Sequence, residues 1–266
     1  MSNFKKGAEK YAKIGQNILK DVIKACKLVI TPIHKEGTKF IIIFAAVTAF
    51  FSLFSSTLAL IGLVLTLWCV YFFRDPTRFT LDEEGTLVSP ADGVISEVVE
   101  KEKAPKDLNL SDKKTFTRIT IFLNVFDVHV NRIPISGKIT CLVYKAGKFL
   151  SANLPQATKE NEQQIIELET KQKDVIVFSQ IAGMVARRIV CDLKEDQEVK
   201  IGERFGIIRF GSRCDVYLPD NYNLKVLKGQ KMIGGETILA QRKSGAATAV
   251  GGKKTTAKKT NEKKVK

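Results

Sequence analysis

The chain has 266 residues, of which 44% are hydrophobic, so it can bury a substantial core. Its net charge is +15, but residues 1–39 hold nine lysines against three acidic residues, and residues 242–266 hold nine basic residues against one glutamate. The two ends therefore carry +6 and +8, which leaves +1 for the 202 residues between them. This distribution excludes nucleic acid from the predicted partners, because a nucleic-acid groove spreads its basic residues over the folded part of the chain.

The first predicted element is the basic segment 1–39. Its stretch NILKDVIKACKLVI places apolar residues near one helical face and lysines on the other. This amphipathic pattern suits a helix on an anionic membrane surface, although a solvated helix that packs on its own domain would show the same pattern.

The second predicted element is the hydrophobic segment 40–73, which has 34 residues and no charge. A straight helix of that length would measure about 51 Å, well beyond the hydrocarbon core of a bilayer. We therefore expect a break, either at Ser55-Ser56 or at Gly62, and a helical membrane hairpin. Two alternatives remain, a single span of about 20 residues with the rest at the interface, and a buried core helix.

Basic residues flank both ends of this hydrophobic segment, with Lys35 and Lys39 before it and Arg74 and Arg78 after it. Because cytoplasmic flanks are enriched in basic residues, the pattern places both ends of the hairpin in the cytoplasm. The predicted location is therefore the cytoplasmic face of the cell membrane.

Residues 74–241 form the third predicted element, a β domain, since short alternating or β-branched runs recur there with turn residues between them. The predicted fold is mainly β, a compact β sandwich or open barrel preceded by the helical hairpin. The last element, residues 242–266, is rich in lysine, glycine and alanine and is predicted to be a disordered tail. No GxGxxG, GxxxxGK[ST] or GxSxG pattern occurs.

No metal site is predicted from the cysteines and histidines. The chain has five cysteines at no metal-like spacing, and only two histidines. The odd number of cysteines is typical of reduced, isolated thiols in a protein that faces the cytosol.

Three residues of the β domain are suited to catalysis. Asp92 lies in a Pro-Ala-Asp-Gly turn, His129 is the only histidine of the domain, and Ser212 belongs to the only Gly-Ser dipeptide. Each signal alone is typical of a structural residue. A serine hydroxyl needs a base to become a nucleophile, and a histidine oriented by an aspartate is able to act as that base.

Taken together, five segments in this order resemble the phosphatidylserine decarboxylase proenzymes, in particular the short bacterial type. The resemblance covers most of the chain and lies in PIHKEG, YFFRDPTR, SPADG, VHVNRIPISG and RFGSRCDVYLP.

The resemblance implies a self-processing enzyme. The serine of the Gly211-Ser212 pair would become a pyruvoyl group by self-cleavage, and Asp92 and His129 correspond to the residues that assist it. The pyruvoyl group would form a Schiff base with the amine of phosphatidylserine and accept electrons as carbon dioxide leaves. The product would be phosphatidylethanolamine, and the only cofactor would be the pyruvoyl group, without a metal.

Self-cleavage would give a heterodimer of chains 1–211 and 212–266, with phosphatidylserine and an anionic membrane as partners. Arg132 and Lys138, which are close to His129 in sequence, are candidates for the contact with the substrate phosphate or carboxylate, although a solvated loop charge would show the same pattern.

Two other functions are compatible with the same residues. The first is a membrane-bound serine hydrolase or protease in which Ser212 stays intact. The second is a non-catalytic β module tethered to the membrane, in which the Gly-Ser pair is a simple turn. Self-cleavage distinguishes them, because either alternative leaves a single chain.

Overall fold

The computed structural model describes residues 31–108, 110, 114–147, 160–183, 188–209 and 212–243. The predicted amphipathic helix, most of the basic tail and Gly211 lie outside these ranges. Within them the β domain has strands β1 Thr86–Val88, β2 Gly93–Lys103, β3 Thr115–Leu123, β4 Val130–Arg132, β5 Gly137–Lys145, β6 Gln163–Glu169, β7 Val175–Ala182, β8 Ile189–Cys191, β9 Glu198–Val199, β10 Arg204–Ile208, β11 Ser212–Pro219, β12 Tyr222–Leu224, β13 Lys231–Met232 and β14 Ile238–Arg242.

The largest sheet has eight strands in the order β13-β2-β3-β11-β7-β6-β5-β9 and curls into a half-barrel. All its pairings are antiparallel. Alternation along β11 sends Cys214, Val216 and Leu218 into the main core, whereas Tyr217 packs in a smaller cluster on the opposite face. The mainly β prediction is confirmed in this form.

Two short antiparallel sheets complete the domain. One has the order β1-β14-β12, and the other has the order β4-β10-β8. The second sheet positions the candidate site, because β4 follows His129 directly and β10 ends four residues before Ser212.

The hydrophobic segment folds as two helices, α1 Thr38–Ser52 and α2 Ser56–Phe72. The break falls beside Ser55, whose hydroxyl accepts a hydrogen bond from the Leu58 backbone N–H at the start of α2. Gly62 lies inside α2 and faces α1, since a Cβ there would be 2.6 Å from Thr48 Oγ1. The glycine therefore serves the close approach of the helices rather than the break.

Neither α1 nor α2 is long and apolar enough to cross a bilayer, and this holds for each helix among the residues described. Both helices expose large apolar side chains, including Ile42, Phe50, Leu60 and Val64. The hairpin is thus an exposed apolar surface, and its placement in a membrane stays a prediction.

The base of the hairpin packs on the β domain. Phe72 and Phe73 at the end of α2 are fully buried and form a cluster with Val128, Val130 and Ile207. Burial of such side chains contributes about 2 to 3 kcal/mol each. The hairpin base is therefore continuous with the part of the domain that carries His129.

Candidate active site

Ser212 is the first residue of β11, an interior strand of the eight-stranded sheet. Its backbone is in register with Leu123 on β3 and Ala182 on β7, so both neighbouring strands fix its position. The side chain is fully buried, and its Oγ has no hydrogen-bond partner among the described residues. A buried hydroxyl without a partner lowers the stability of the folded state by about 1 to 3 kcal/mol. A catalytic role is one of the explanations for such a group in a native structure.

His129 lies between β3 and β4 and is fully buried. Its Nδ1 is 3.0 Å from the backbone carbonyl oxygen of Asp127. Because a carbonyl oxygen only accepts, this contact assigns the proton to Nδ1 and leaves a lone pair on Nε2. Nε2 is buried and has no partner in the described part of the chain.

The environment of His129 keeps the imidazole neutral. Burial lowers its pKa to about 4, the hydrogen bond to the Asp127 carbonyl opposes this shift, and the charge of Arg74 adds to it. The Phe72 ring covers the imidazole, with the ring centroids 4.3 Å apart. A neutral imidazole with a free Nε2 is able to accept a proton at neutral pH.

The contacts of Asn131 join the segment that carries His129 to β11, the strand that Ser212 begins. Asn131 Nδ2 is 3.6 Å from Cys214 Sγ, and Asn131 Oδ1 accepts a hydrogen bond of 2.8 Å from Gln180. Side chains alternate along a strand, so Ser212 shares a face of β11 with Cys214. The contacts of Asn131 therefore hold the two segments together two residues along the chain from His129 and two residues along the chain from Ser212.

Asp92 lies in the turn between β1 and β2, as the sequence predicts. Its carboxylate accepts hydrogen bonds from Arg78 at 2.8 and 3.1 Å and from the Gly234 backbone N–H at 2.7 Å. Burial raises the pKa of Asp92, and these two donors oppose the rise. No hydrogen bond among the described residues joins Asp92 to His129, so the catalytic role of Asp92 stays a prediction.

The two predicted substrate contacts have other partners in the structure. The buried Arg132 guanidinium donates to the carbonyl oxygens of Gly202 and Pro76, each at 2.9 Å, and pairs with Asp75 at 3.4 Å. The exposed Lys138 ammonium lies 2.6 Å from Asp196. Their contact with a substrate stays a prediction.

Sequence reasoning did not identify the residues that surround His129. The Asp127 partner is a backbone carbonyl, and Phe72 comes from the end of the hydrophobic hairpin. Asn131 lies within the segment VHVNRIPISG, but no role is predicted from the sequence for Asn131 or for Gln180. Asn131 lies on β4 and Gln180 lies on β7, so only the folded chain brings the two side chains together.

A metal site is a separate question. The described residues contain no group of three or more histidine, cysteine, aspartate or glutamate side chains that could hold a metal ion. The four cysteines in these ranges are free thiols.

These features define a mainly β protein in which one serine and one neutral histidine are buried, each with a side-chain atom that has no partner among the described residues. The family model described as phosphatidylserine decarboxylase matches residues 65–240. Three similar relatives are the phosphatidylserine decarboxylase proenzymes of Rickettsia typhi and Rickettsia prowazekii, each 54% identical, and of Rickettsia bellii, 53% identical. Each match covers 208 residues, which are 78% of this chain and 89% of the relative. The chain therefore belongs to the phosphatidylserine decarboxylase family.

Proposed function

We propose that this chain is a self-processing decarboxylase that converts phosphatidylserine to phosphatidylethanolamine and carbon dioxide in phospholipid biosynthesis. Ser212 is the residue that becomes the pyruvoyl group. Family membership supports the activity. The observation that carries the assignment to Ser212 is a buried hydroxyl and a buried imidazole Nε2, both without a partner in the described residues.

The first reaction is self-cleavage, in which Ser212 Oγ attacks the carbonyl carbon of Gly211. His129 Nε2 accepts the hydroxyl proton, while its Nδ1–H remains bonded to the Asp127 carbonyl. The carbon–nitrogen bond breaks as the carbon–oxygen bond forms, so an ester replaces the amide and the nitrogen takes up a proton.

Elimination then releases the C-terminal carboxylate of residue 211. The α proton of Ser212 leaves and the bond between its Cβ and Oγ breaks, so both oxygens depart with the carboxylate and a dehydroalanine remains at the start of the C-terminal chain. Water adds to its imine tautomer and ammonia departs, which leaves a pyruvoyl cap. The register of Ser212 with Leu123 and Ala182 would hold that cap at the start of β11.

The pyruvoyl group, once formed, supplies an electrophilic carbonyl and a sink for the electrons released as carbon dioxide leaves. The chain contributes the remaining functions. His129 Nε2, which is buried and has no partner among the described residues, is suited to return a proton to the substrate carbon. The burial of Ser212 and His129 excludes water from this transfer.

The two chains are expected to remain together as a heterodimer after cleavage. β11, which begins the C-terminal chain, pairs with β3 from Ser212 to Pro219 and with β7 from Ser212 to Tyr217. Its side chains Val216 and Leu218 lie in the main core. Cleavage breaks one peptide bond but leaves the backbone hydrogen bonds on both edges of β11 and its apolar contacts in place, so these interactions hold the two chains together.

An assay with lipid vesicles tests the activity. Purified protein is expected to release carbon dioxide from phosphatidylserine vesicles, to form phosphatidylethanolamine, and to leave phosphatidylcholine vesicles unchanged. A hydrolase with an intact serine would instead release fatty acid or cleave peptides without forming carbon dioxide. Absence of carbon dioxide from fully cleaved protein would contradict the proposed reaction.

The proposed location is the cytoplasmic face of the membrane, with anionic lipid as the partner surface. Exposed aromatic side chains support it, since Phe79 is 84% exposed beside Arg78, and Phe126 is 61% exposed three residues before His129. With the exposed apolar side chains of α1 and α2, they are suited to the membrane interface, where the cation of Arg74 would attract anionic lipid.

Vesicle binding tests this surface. Phe79→Ser combined with Phe126→Ser is expected to weaken binding to phosphatidylserine vesicles about tenfold or more, because each exposed phenylalanine loses an apolar contact with lipid. Flotation with vesicles measures the effect. Tyr144→Ser is the matched control, because Tyr144 is 59% exposed and lies on β5. Equal binding of the double variant and the control variant would exclude the two phenylalanines from the membrane surface.

A further inference from the structure

Arg209 lies just after β10 and three residues before Ser212. Its backbone N–H donates to the Arg188 carbonyl, while its side chain points toward the helical hairpin. The guanidinium Nη2 pairs with Glu36, and its carbon lies 5.4 Å from the centre of the Phe40 ring. Arg209 Nε is buried and has no partner among the described residues.

Glu36 is held firmly at the base of the hairpin. It lies in a 3-10 turn, Lys35–Gly37, whose N-cap is His34, and His34 Nδ1 accepts from the Glu36 backbone N–H at 3.3 Å. The His34 backbone N–H donates to the Phe73 carbonyl at 2.8 Å. A Cβ at Gly37 would clash with the side chain of Phe73, so the turn packs directly on the residue that follows α2.

The same hairpin base also covers the proposed base of the reaction, because Phe72 packs on His129. The backbone of β10 meets His129 as well, since the Ile208 N–H donates to the His129 carbonyl at 3.3 Å. One structural unit therefore contacts His129 through Phe72 and contacts the chain that leads to Ser212 through Glu36.

We propose that the ion pair between Glu36 and Arg209 is a positioning element for self-cleavage. It fixes Arg209, two residues before Gly211, relative to the hairpin base that packs on His129, while the pairing of β11 fixes Ser212. Glu36 and Arg209 touch neither reacting atom and act through geometry. This inference rests on the proposed self-cleavage at Ser212.

Glu36→Gln tests the inference by removing the charge while keeping the shape. The Arg209 guanidinium would then be half-buried without an anion and would move toward water together with its backbone. Misplacement of reacting groups by about 1 Å costs up to about 100-fold in rate, so we expect cleavage to slow by about tenfold or more. Pulse-chase of the full-length chain in cell-free translation measures the rate as conversion of one band into two.

Lys35→Gln is the matched control, because it removes a neighbouring ion pair of the same turn, Lys35 with Asp192, whose side chains are 65% and 51% exposed. We expect it to cleave at the wild-type rate. Thermal melting of both variants, each carrying Ser212→Ala to prevent cleavage, shows whether the Glu36 variant is folded at the assay temperature.

The charge swap Glu36→Arg with Arg209→Glu tests whether the cleavage rate recovers when the ion pair is restored, which would not happen if the single variants only destabilised the fold. We expect it to cleave at least about threefold faster than either single swap, because the pair is restored in reverse. Cleavage of Glu36→Gln at the wild-type rate, equal slowing by Lys35→Gln, or no recovery in the swap would each overturn the inference. The same assay measures cleavage of the wild-type chain and its loss in Ser212→Ala. These two results test self-cleavage at Ser212, whereas the Glu36 and Lys35 variants test only the positioning role.

Discussion

Ser212→Ala is expected to leave the chain uncleaved and to abolish carbon dioxide release. The substitution removes the hydroxyl that attacks the preceding carbonyl and the oxygen that is eliminated afterwards, so no pyruvoyl group forms. The fold should persist, because alanine removes a buried Oγ that has no partner among the described residues. Gel electrophoresis and carbon dioxide release from phosphatidylserine vesicles measure the two losses.

A second buried serine provides the control for this variant. Ser179 lies on β7, the neighbour of β11, and is in register with Asp215. Asp215 points to the sheet face opposite to that of Ser212. Ser179→Ala is expected to cleave and to decarboxylate. Decarboxylation by Ser212→Ala would exclude the pyruvoyl mechanism.

His129→Ala is expected to slow cleavage by at least about 100-fold, the usual contribution of a positioned general base. The wild-type pH profile gives a second, independent readout. Burial holds the pKa of His129 at about 4, below the ordinary value of 6.5. Because the unprotonated form is the base, we expect the rate of cleavage to stay constant from neutral pH to about 5.5 and to fall toward pH 4. Pulse-chase across this range measures it.

Stability must be measured over the same pH range. The pKa of His129 is lower in the folded chain than in the unfolded chain, so the unfolded chain binds the proton first. The contribution of His129 to folding is therefore complete above about pH 6.5 and is lost as the pH falls from there toward 4. Melting of Ser212→Ala identifies the pH at which unfolding, rather than protonation of a folded base, limits the rate.

Asp92→Asn tests whether the charge of Asp92 acts on His129, whose hydrogen-bond partner in the structure is the backbone carbonyl of Asp127. The Nδ1 partner of His129 is the Asp127 carbonyl, and Asp92 pairs with Arg78. We therefore expect Asp92→Asn to slow cleavage without moving the pH midpoint of the wild-type profile. A midpoint that shifts in this variant would indicate that the Asp92 charge acts on His129 directly.

The sequence predicted the features that depend on local pattern. Alternation of apolar residues predicted the β domain, and Ser55-Ser56 was one of two places named for the break in the hydrophobic segment. The Pro-Ala-Asp-Gly turn correctly placed Asp92 between two strands. These features follow from backbone preferences of a few neighbouring residues, which a single sequence shows directly.

The features that the sequence did not show depend on contacts between distant segments. A backbone carbonyl has no residue signature, so the Asp127 partner of His129 was not readable. Glu36 and Arg209 are 173 positions apart, and nothing local marks them as a pair. Arg132 is three residues from His129, yet its guanidinium bonds to Gly202 and Pro76, because neighbours along an extended chain point in different directions.

The intact mass of the purified protein under denaturing conditions tests the central claim most directly. We predict two chains, residues 1–211 and residues 212–266. The smaller chain should be lighter, by one ammonia, than the same segment with an N-terminal serine, because a pyruvoyl cap replaces that serine. The account would be contradicted by a single chain of 29.6 kDa in protein that decarboxylates phosphatidylserine, or by a smaller chain that begins with an unmodified serine.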